Sequence, residues 1–371
     1  MPLPIADAFA DLPDPRLDRN KLHPLTDILA IALCAVLAGA ETWEQIAEFG
    51  RRKEAFFRRF LALPNGIPSH DTFYRVFCAL DPAKFAECFG RWMAAACEGA
   101  GLVPVAIDGK AARRSRKATF SGCLHLVSAW ATENGVALGQ VSVAYGSHEI
   151  AAIPELLAVL DLGGALVTLD AAGCQTGNAA LIREGGGHYL LAVKGNQPDL
   201  HRAVVGAFDR ALDAEFAGAR YDQHAGEEDG HGRHEERYTT VPYDPPGLPP
   251  GWPDAAAVVQ VNRERVAGGE REATTHYYLT SYRGTAAELG RLVRGHWGIE
   301  NGLHWVLDVA FREDQSRTRA GHAGANLGVL RRVAVSLLKR AGDHGSIQTR
   351  RLMAGWDDDF LLTALQGIPT S

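Results

Sequence analysis

Two five-residue apolar runs, each closed by an aspartate, constrain this chain more than anything else in it. Val103-Pro-Val-Ala-Ile107 ends at Asp108 and is followed by Gly109-Lys110. Ala165-Leu-Val-Thr-Leu169 ends at Asp170 and is followed by Ala-Ala-Gly173. A short apolar run bounded by turn residues is the pattern of a buried strand. Two such strands in one sheet deliver two carboxylates to the same edge. A third acid, Glu300, stands within Arg294-Gly-His-Trp-Gly-Ile-Glu-Asn301, ahead of a helical pattern that could carry it to the same place. Each acid taken alone reads as a cap or turn carboxylate. Taken together, three converging carboxylates repel one another unless a divalent cation lies between them. Oxygen-only ligation favours Mg²⁺ or Mn²⁺, and pairs of such ions serve phosphoryl transfer. In that chemistry Asp108 is the expected bridging ligand, with Glu300 completing one shell.

The charge pattern bears on what such a site would act upon. The net charge of −6 argues at first against a polyanionic partner, but the average hides segregation. Lys110-Ala-Ala-Arg113-Arg114-Ser-Arg-Lys117 carries five cations in eight residues, directly after the first acid. Further clusters are Arg51-Arg52-Lys53 with Arg58-Arg59, and Arg331-Arg332, Lys339-Arg340 and Arg350-Arg351. Acids gather between Asp209 and Asp229 and at Asp357-Asp-Asp359. Positive patches beside an acidic site are what a phosphodiester backbone requires, although a solvated helix face explains each cluster singly. Six cysteines without C-x-x-C spacing read as reduced structural thiols of a cytosolic protein. The apolar run Ile28–Ala38 covers 11 residues. Crossing a bilayer takes about 20, so the run reads as a buried core helix. No cationic leader precedes a cleavage site, so secretion is not indicated.

From Leu25 to about Leu80 the pattern is helical. Ser69 is a good N-cap for a helix whose buried stripe is Phe73, Val76 and Phe77 and whose Arg75 faces out. A helix-turn-helix DNA reader and a plain helical hairpin both fit. Residues 102–195 predict strands at Val103–Ile107, Leu124–Ala131, Val136–Val143, Ala165–Leu169 and His188–Val193, with Asn134-Gly135 as a hairpin turn and helices over Glu149–Leu160 and Gln175–Glu184. Three strands, helix, strand, helix, strand suits a ribonuclease-H-like mixed sheet better than a doubly wound nucleotide fold. Residues 196–285 read as a β-rich insertion, with strands at Glu235–Val241, Ala256–Asn262 and His276–Ser281 around a Pro-rich loop. Helix returns over 286–340.

Rival readings stand beside these. His296, Glu300, His304 and Asp308 recur every four residues and fall on one helical stripe, so a zinc site is a physical alternative; the spelling H-E-x-x-H is absent. Lys194, after a strand, points a cation at phosphate or is a surface lysine. Arg317 and Arg319 are available for phosphate. Arg233, Glu235 and Arg237 alternate onto one face, as DNA contacts or as an ion ladder. Trp252 stacks on an unpaired base or anchors its loop.

The wording of the chain resembles the DDE-type insertion-sequence transposases of the H-repeat-associated (ISAs-type) family. The matching words are His23-Pro-Leu25, Gly66-Ile-Pro-Ser-His-Asp-Thr-Phe73, Ile107-Asp-Gly-Lys110, Leu126-Val-Ser-Ala-Trp130, Leu138-Gly-Gln140, Gly173-Cys-Gln175, Lys194-Gly-Asn-Gln197, His231-Gly-Arg233, His296-Trp-Gly-Ile-Glu-Asn301 and Leu303-His-Trp-Val-Leu-Asp-Val309. The resemblance implies an RNase H-like catalytic core, a β-rich insertion before the last acid, and magnesium-dependent strand cleavage and transfer by Asp108, Asp170 and Glu300. Related transposases carry Y-x2-R-x3-E-x6-K around the last acid; here those positions hold Val293, His296 and Leu307, with Arg294 as the substitute cation. The stretch Ala144-Tyr-Gly-Ser-His-Glu149 also lacks the Lys and Asn usual in the family.

The expected organisation is therefore a helical domain over 1–100, an RNase H-like catalytic domain over 101–340 with the insertion at 196–285, and a helical tail over 341–371. The expected function is DNA transposition: binding of inverted-repeat ends, metal-dependent cleavage and strand transfer, with two Mg²⁺ or Mn²⁺ ions. Alternatives are an RNase H-like nuclease without strand joining and a catalytically lapsed DNA-binding relative. Lys110, Arg113, Arg114, Lys194, Arg294, His296, Arg317, Arg319 and Arg75 are the expected DNA contacts. Double-stranded DNA is the expected partner, with no membrane, a homodimer in the DNA complex, and a cytoplasmic, nucleoid-associated location.

Overall fold

A computed structural model of the chain describes residues 7–97, 101–115, 123–143, 149–213, 220–230, 233–342 and 345–367. Among them, helices α1 (Leu25–Leu37), α2 (Trp43–Arg52), α3 (Glu54–Phe57), α4 (His70–Ala79) and α5 (Pro82–Ala94) precede strands β1 (Val103–Ala112), β2 (Leu124–Ala131) and β3 (Val136–Val143). Then come α6 (Glu149–Leu157), β4 (Ala165–Leu169), α7 (Thr176–Glu184), β5 (His188–Val193) and α8 (Pro198–Asp213). Strands β6 (Tyr221–Gly230), β7 (Arg233–Pro242), β8 (Ala257–Ala267) and β9 (Glu270–Thr280) follow. Helix α9 (Ala286–His296) leads to a single π-helical turn (Glu300–His304), and α10 (Trp305–Val309), α11 (Ala323–Arg340), α12 (Ile347–Trp356) and α13 (Asp358–Gln366) complete the chain.

The chain divides into two units, one formed by residues 1–100, 109–160 and 299–371, the other by 101–108 and 161–298. In the first unit α1 is buried along nearly its whole length, because α2, α11 and α12 all pack on it. This explains a wholly apolar run too short for a membrane; no helix among the described residues is long and apolar enough to cross one. Helix α4 is capped by Ser69, whose Oγ accepts the Thr72 N–H at 3.3 Å, and it buries Phe73, Val76 and Phe77. The Phe77 ring lies 5.2 Å from that of Trp43 on α2, and Arg75 faces solvent. Strands β2 and β3 form the expected antiparallel hairpin, with a bulge between Ala129 and Trp130 that increases local twist. Helices α5 and α11 cover β3. At Gly90 the helix comes so close to the strand that a Cβ would sit 2.5 Å from the Leu138 carbonyl oxygen, so only glycine fits.

The second unit is built on the start of β1, whose first five residues pair in parallel with β4; β4 pairs in parallel with β5. Strand β5 pairs antiparallel with β9, and β9-β8-β7-β6 continue as an antiparallel meander. The strand order is thus β3-β2-β1-β4-β5-β9-β8-β7-β6. The order 3-2-1-4-5 with its β2–β3 hairpin is RNase H-like, as the sequence implied. Helix α9 packs on β4, β6, β7 and β8, closing a core of Leu166, Leu190, Val241, Val259, Leu289 and Leu292. The sequence reading found three of the four strands between 221 and 280. It missed β6, whose residues Tyr221-Asp-Gln-His-Ala-Gly-Glu-Glu-Asp-Gly230 show no apolar alternation.

Candidate active site

Strands β1 and β4 are buried because each carries an unbroken apolar run. Their register pairs Ile107 with Leu169, so Asp108 and Asp170 follow at equivalent positions on neighbouring parallel strands. Asp170 follows the end of β4 at the carboxyl edge, where open α/β sheets place their ligands, whereas β1 does not stop at Ile107 as the sequence implied but runs through Asp108 to Ala112. Asp108 is half-buried and Asp170 exposed. Asp170 Oδ1 accepts the N–H of Gly173 at 3.0 Å, which folds residues 170–173 into a tight turn.

Three amides then fix the loop after Asp170. Asn196 Nδ2 donates to the Ala171 carbonyl at 2.6 Å, Gln197 Nε2 to Cys174 O at 2.9 Å, and Asn178 Nδ2 to Gly173 O at 2.9 Å. The sequence reading quoted Lys194-Gly-Asn-Gln197 but gave Asn196 and Gln197 no role. Polar residues just past a strand end were their only signal. Lys194 is exposed and, with Asp170, lines a cavity of about 420 Å³ whose walls include Thr168, Tyr277, His296 and Trp297.

His296 is at the back of this cavity. Its Nδ1 lies 2.9 Å from Thr168 Oγ1, and that hydroxyl donates to the Val105 carbonyl at 3.4 Å. A hydroxyl has one proton, so His296 Nδ1–H donates to Thr168 and Nε2 keeps its lone pair. Burial pushes the imidazole below its usual pKa, against the pull of Asp170, so it is neutral at pH 7. Arg294 is ion-paired with Glu228 on β6, which also lies 3.6 Å from Arg237. Arg237 pairs with the buried Glu235, so this face is an ion ladder; the Arg233 side chain is outside the described residues. Trp252 is buried and anchors its loop.

Glu300 belongs to the first unit. It is exposed at the start of the π turn, and the extra residue of that turn breaks the four-residue stripe expected from the sequence. Gly302 in the turn lies against the buried Trp130, where a Cβ would be 3.3 Å from the indole nitrogen. His304 is turned inward, and burial, then Arg332 and Lys110, push its pKa down to about 3.

Lys110, expected at DNA, is buried instead. Its Nζ lies 2.6 Å from Asp308, 3.2 Å from Asp314 and 3.7 Å from Glu313. A run of charges reads as surface in a sequence, and nothing nearby reveals that acids two hundred residues on will enclose its first member. Arg332 joins the same group, bonding Glu313 at 2.9 Å and Ser128 at 2.7 Å. Arg113 is exposed and pairs with Asp314 at 3.2 Å; Arg114 is exposed, and Arg319 donates to its carbonyl at 3.0 Å. Arg116, Lys117 and residues 144–148 lie outside the described residues. Glu149, to which the sequence reading gave no role, lies against Gly109, where a Cβ would overlap its carboxylate.

Asp108 and Asp170 offer the hard oxygen donors that magnesium or manganese requires. Among the described residues no three His, Cys, Asp or Glu side chains are gathered into a metal-holding group. The fit is that of a carboxylate pair that needs further oxygens.

The strand order defines an RNase H-like protein, with Asp108 and Asp170 at equivalent positions on two of its neighbouring strands. The model of the family described as "Transposase DDE domain" matches residues 99–336, and that described as "DDE_Tnp_1-associated" matches residues 6–93. The "H repeat-associated putative transposase YhhI" of Escherichia coli K12 is 36% identical over 369 residues, 96% of each chain. "Putative transposase YncI" of Escherichia coli O157:H7 is 36% identical over 355 residues, 94% of this chain and 90% of its own. A looser likeness, TM-score 0.41 at 9% identity over 98% of this chain and 78% of the other, is to the piggyBac transposase in its synaptic complex with hairpin DNA. The chain belongs to the DDE transposase family.

Proposed function

We propose that this chain binds the inverted-repeat ends of an insertion sequence and catalyses metal-dependent cleavage and transfer of the DNA strand. The observation that carries this reading is the register of β1 and β4, which pairs Ile107 with Leu169 and so sets Asp108 and Asp170 one residue further along two neighbouring parallel strands. DDE transposases use divalent ions. When bound, such ions acidify a water or a 3′-hydroxyl and neutralise the leaving oxygen of an in-line displacement. Asp108 and Asp170 are the residues that would hold them, and Glu300 is proposed as the third acid.

The chain's own groups position the rest. The turn from Asp170 to Gly173 fixes one carboxylate oxygen and leaves the other for a ligand. Lys194 and the neutral His296 line the cavity beside Asp170, where they can hold a phosphate oxygen and a proton donor respectively. Arg113, Arg114, Arg317 and Arg319 are exposed cations proposed for the DNA backbone, as is Arg75 on α4. Lys110 has no part in this contact, since three carboxylates enclose it. Incubating end-containing DNA with Mg²⁺ and either the wild type or Asp170→Asn tests the reading. Nicked and joined products from the wild type alone are expected, and equal product from both proteins overturns the assignment.

A further inference from the structure

Arg331 on α11 is 5% exposed, and no hydrogen bond or ion pair to it occurs among the described residues. Burial outweighs the pull of Glu313 and Glu41 on it and holds its pKa below the ordinary arginine value, and neither acid is bonded to it. Asp308, Glu313 and Asp314 are taken up by Lys110, Arg332 and Arg113. Glu41, the remaining acid at hand, lies 3.8 Å from Arg312. A buried guanidinium that no carboxylate bonds directly is costly to keep, so a fold that retains one beside a cleft has a use for its charge.

Arg331 lines a cleft of about 530 Å³ within the first unit. Its other cations are Arg312, Arg317 and Arg319, all exposed, and its one carboxylate is Glu41. Trp43 and Tyr74 line the same cleft and give it an aromatic wall. A single buried cation at the base suits a phosphate group. The strip of arginines beyond it suits a chain of phosphates rather than one free ion, and the aromatic wall suits the sugar and base that come with each.

We infer that this cleft, lined by neither Asp108 nor Asp170, seats a backbone phosphate of DNA on Arg331. The choice of DNA as the source rests on the transposase reading; the anion site itself does not.

The test uses the full-length chain and fluorescently labelled duplex DNA, with anisotropy measured over a range of KCl concentrations. Arg331→Met and Arg317→Gln each lower the salt slope by about 1, uniformly across DNA sequences, as loss of one phosphate contact does. Arg51→Gln, paired with Glu48 outside the cleft, leaves the slope unchanged. Because an apolar group of similar volume replaces an uncompensated charge, Arg331→Met melts at or above the wild-type temperature. Should that variant fail to fold, Arg317→Gln at the exposed rim still decides. Inorganic phosphate provides the second arm, read as a rise in melting temperature that Arg331→Met abolishes. Phosphate stabilisation with unchanged DNA slopes means a free-anion site and overturns the DNA inference. Unchanged slopes without phosphate stabilisation overturn the site altogether. Asp170→Asn, which loses nicking but keeps the wild-type slope, separates failure at the acid pair from failure here.

Discussion

Asp170 closes a fully buried strand yet is itself exposed, and what holds it in place is a set of amides rather than a cation. Asn196 and Gln197 bond the backbone of the loop on either side of Gly173, so the loop geometry depends on side chains from after β5. Asn196→Ala should lower cleavage by roughly 10- to 100-fold, as loss of a group that only orients a metal ligand does, without changing the melting temperature by more than a few degrees. Steady-state cleavage and a thermal melt check both halves. His304 tests the buried side of the first unit. Its pKa is pushed down to about 3 from an ordinary 6.5, so the unfolded chain takes up a proton that the folded one refuses. Stability from this residue is therefore complete above pH 6.5 and is lost as pH falls towards 3, at up to about 1.4 kcal/mol per pH unit. His304→Asn should flatten the fall of the urea midpoint between pH 6.5 and 5, before most carboxylates titrate. A slope identical to that of the wild type would mean that His304 does not stay neutral in the fold.

At the scale of elements, the π turn is what the sequence reading could not see. Four-residue spacing of His296, Glu300, His304 and Asp308 assumes an uninterrupted α-helix, and one extra residue in a turn defeats it. The result is an exposed Glu300 and an inward His304, where periodicity had put them side by side. Deleting Asn301 should restore α-helical phase and turn Glu300 away from its present direction. We expect a loss of cleavage on the order of 10²-fold, the size that a misplacement of about 1 Å causes, with far-UV circular dichroism unchanged. Activity near the wild-type level would show that the turn has no catalytic purpose. Strands β1, β4 and β5 were legible because apolar runs of five or six residues between turn signals admit few other folds. Strand β6 was not, since a polar edge strand is held by its ladder with β7 and needs no apolar face. Lys110 was misjudged for a related reason: its surroundings come from Asp308, Glu313 and Asp314, far along the chain, and burial by distant residues leaves no local mark.

For the whole molecule, a net charge of −6 has to be reconciled with binding a polyanion. The reconciliation is spatial: Asp308, Glu313 and Asp314 are engaged by Lys110, Arg332 and Arg113 in the first unit, which leaves exposed arginines such as Arg114, Arg317 and Arg319 to set the local potential. Family membership accords with the strand order, and Asp108, Asp170 and Glu300 are the acids proposed for its chemistry. The proposed activity rests on those acids. The most direct measurement is a Mn²⁺ titration of the complex with end-containing DNA, followed by electron paramagnetic resonance, in the wild type and in Asp108→Asn, Asp170→Asn and Glu300→Gln. The account predicts bound Mn²⁺ in the wild type and weakened or lost binding in all three variants. Undiminished binding in Asp108→Asn and Asp170→Asn would contradict it.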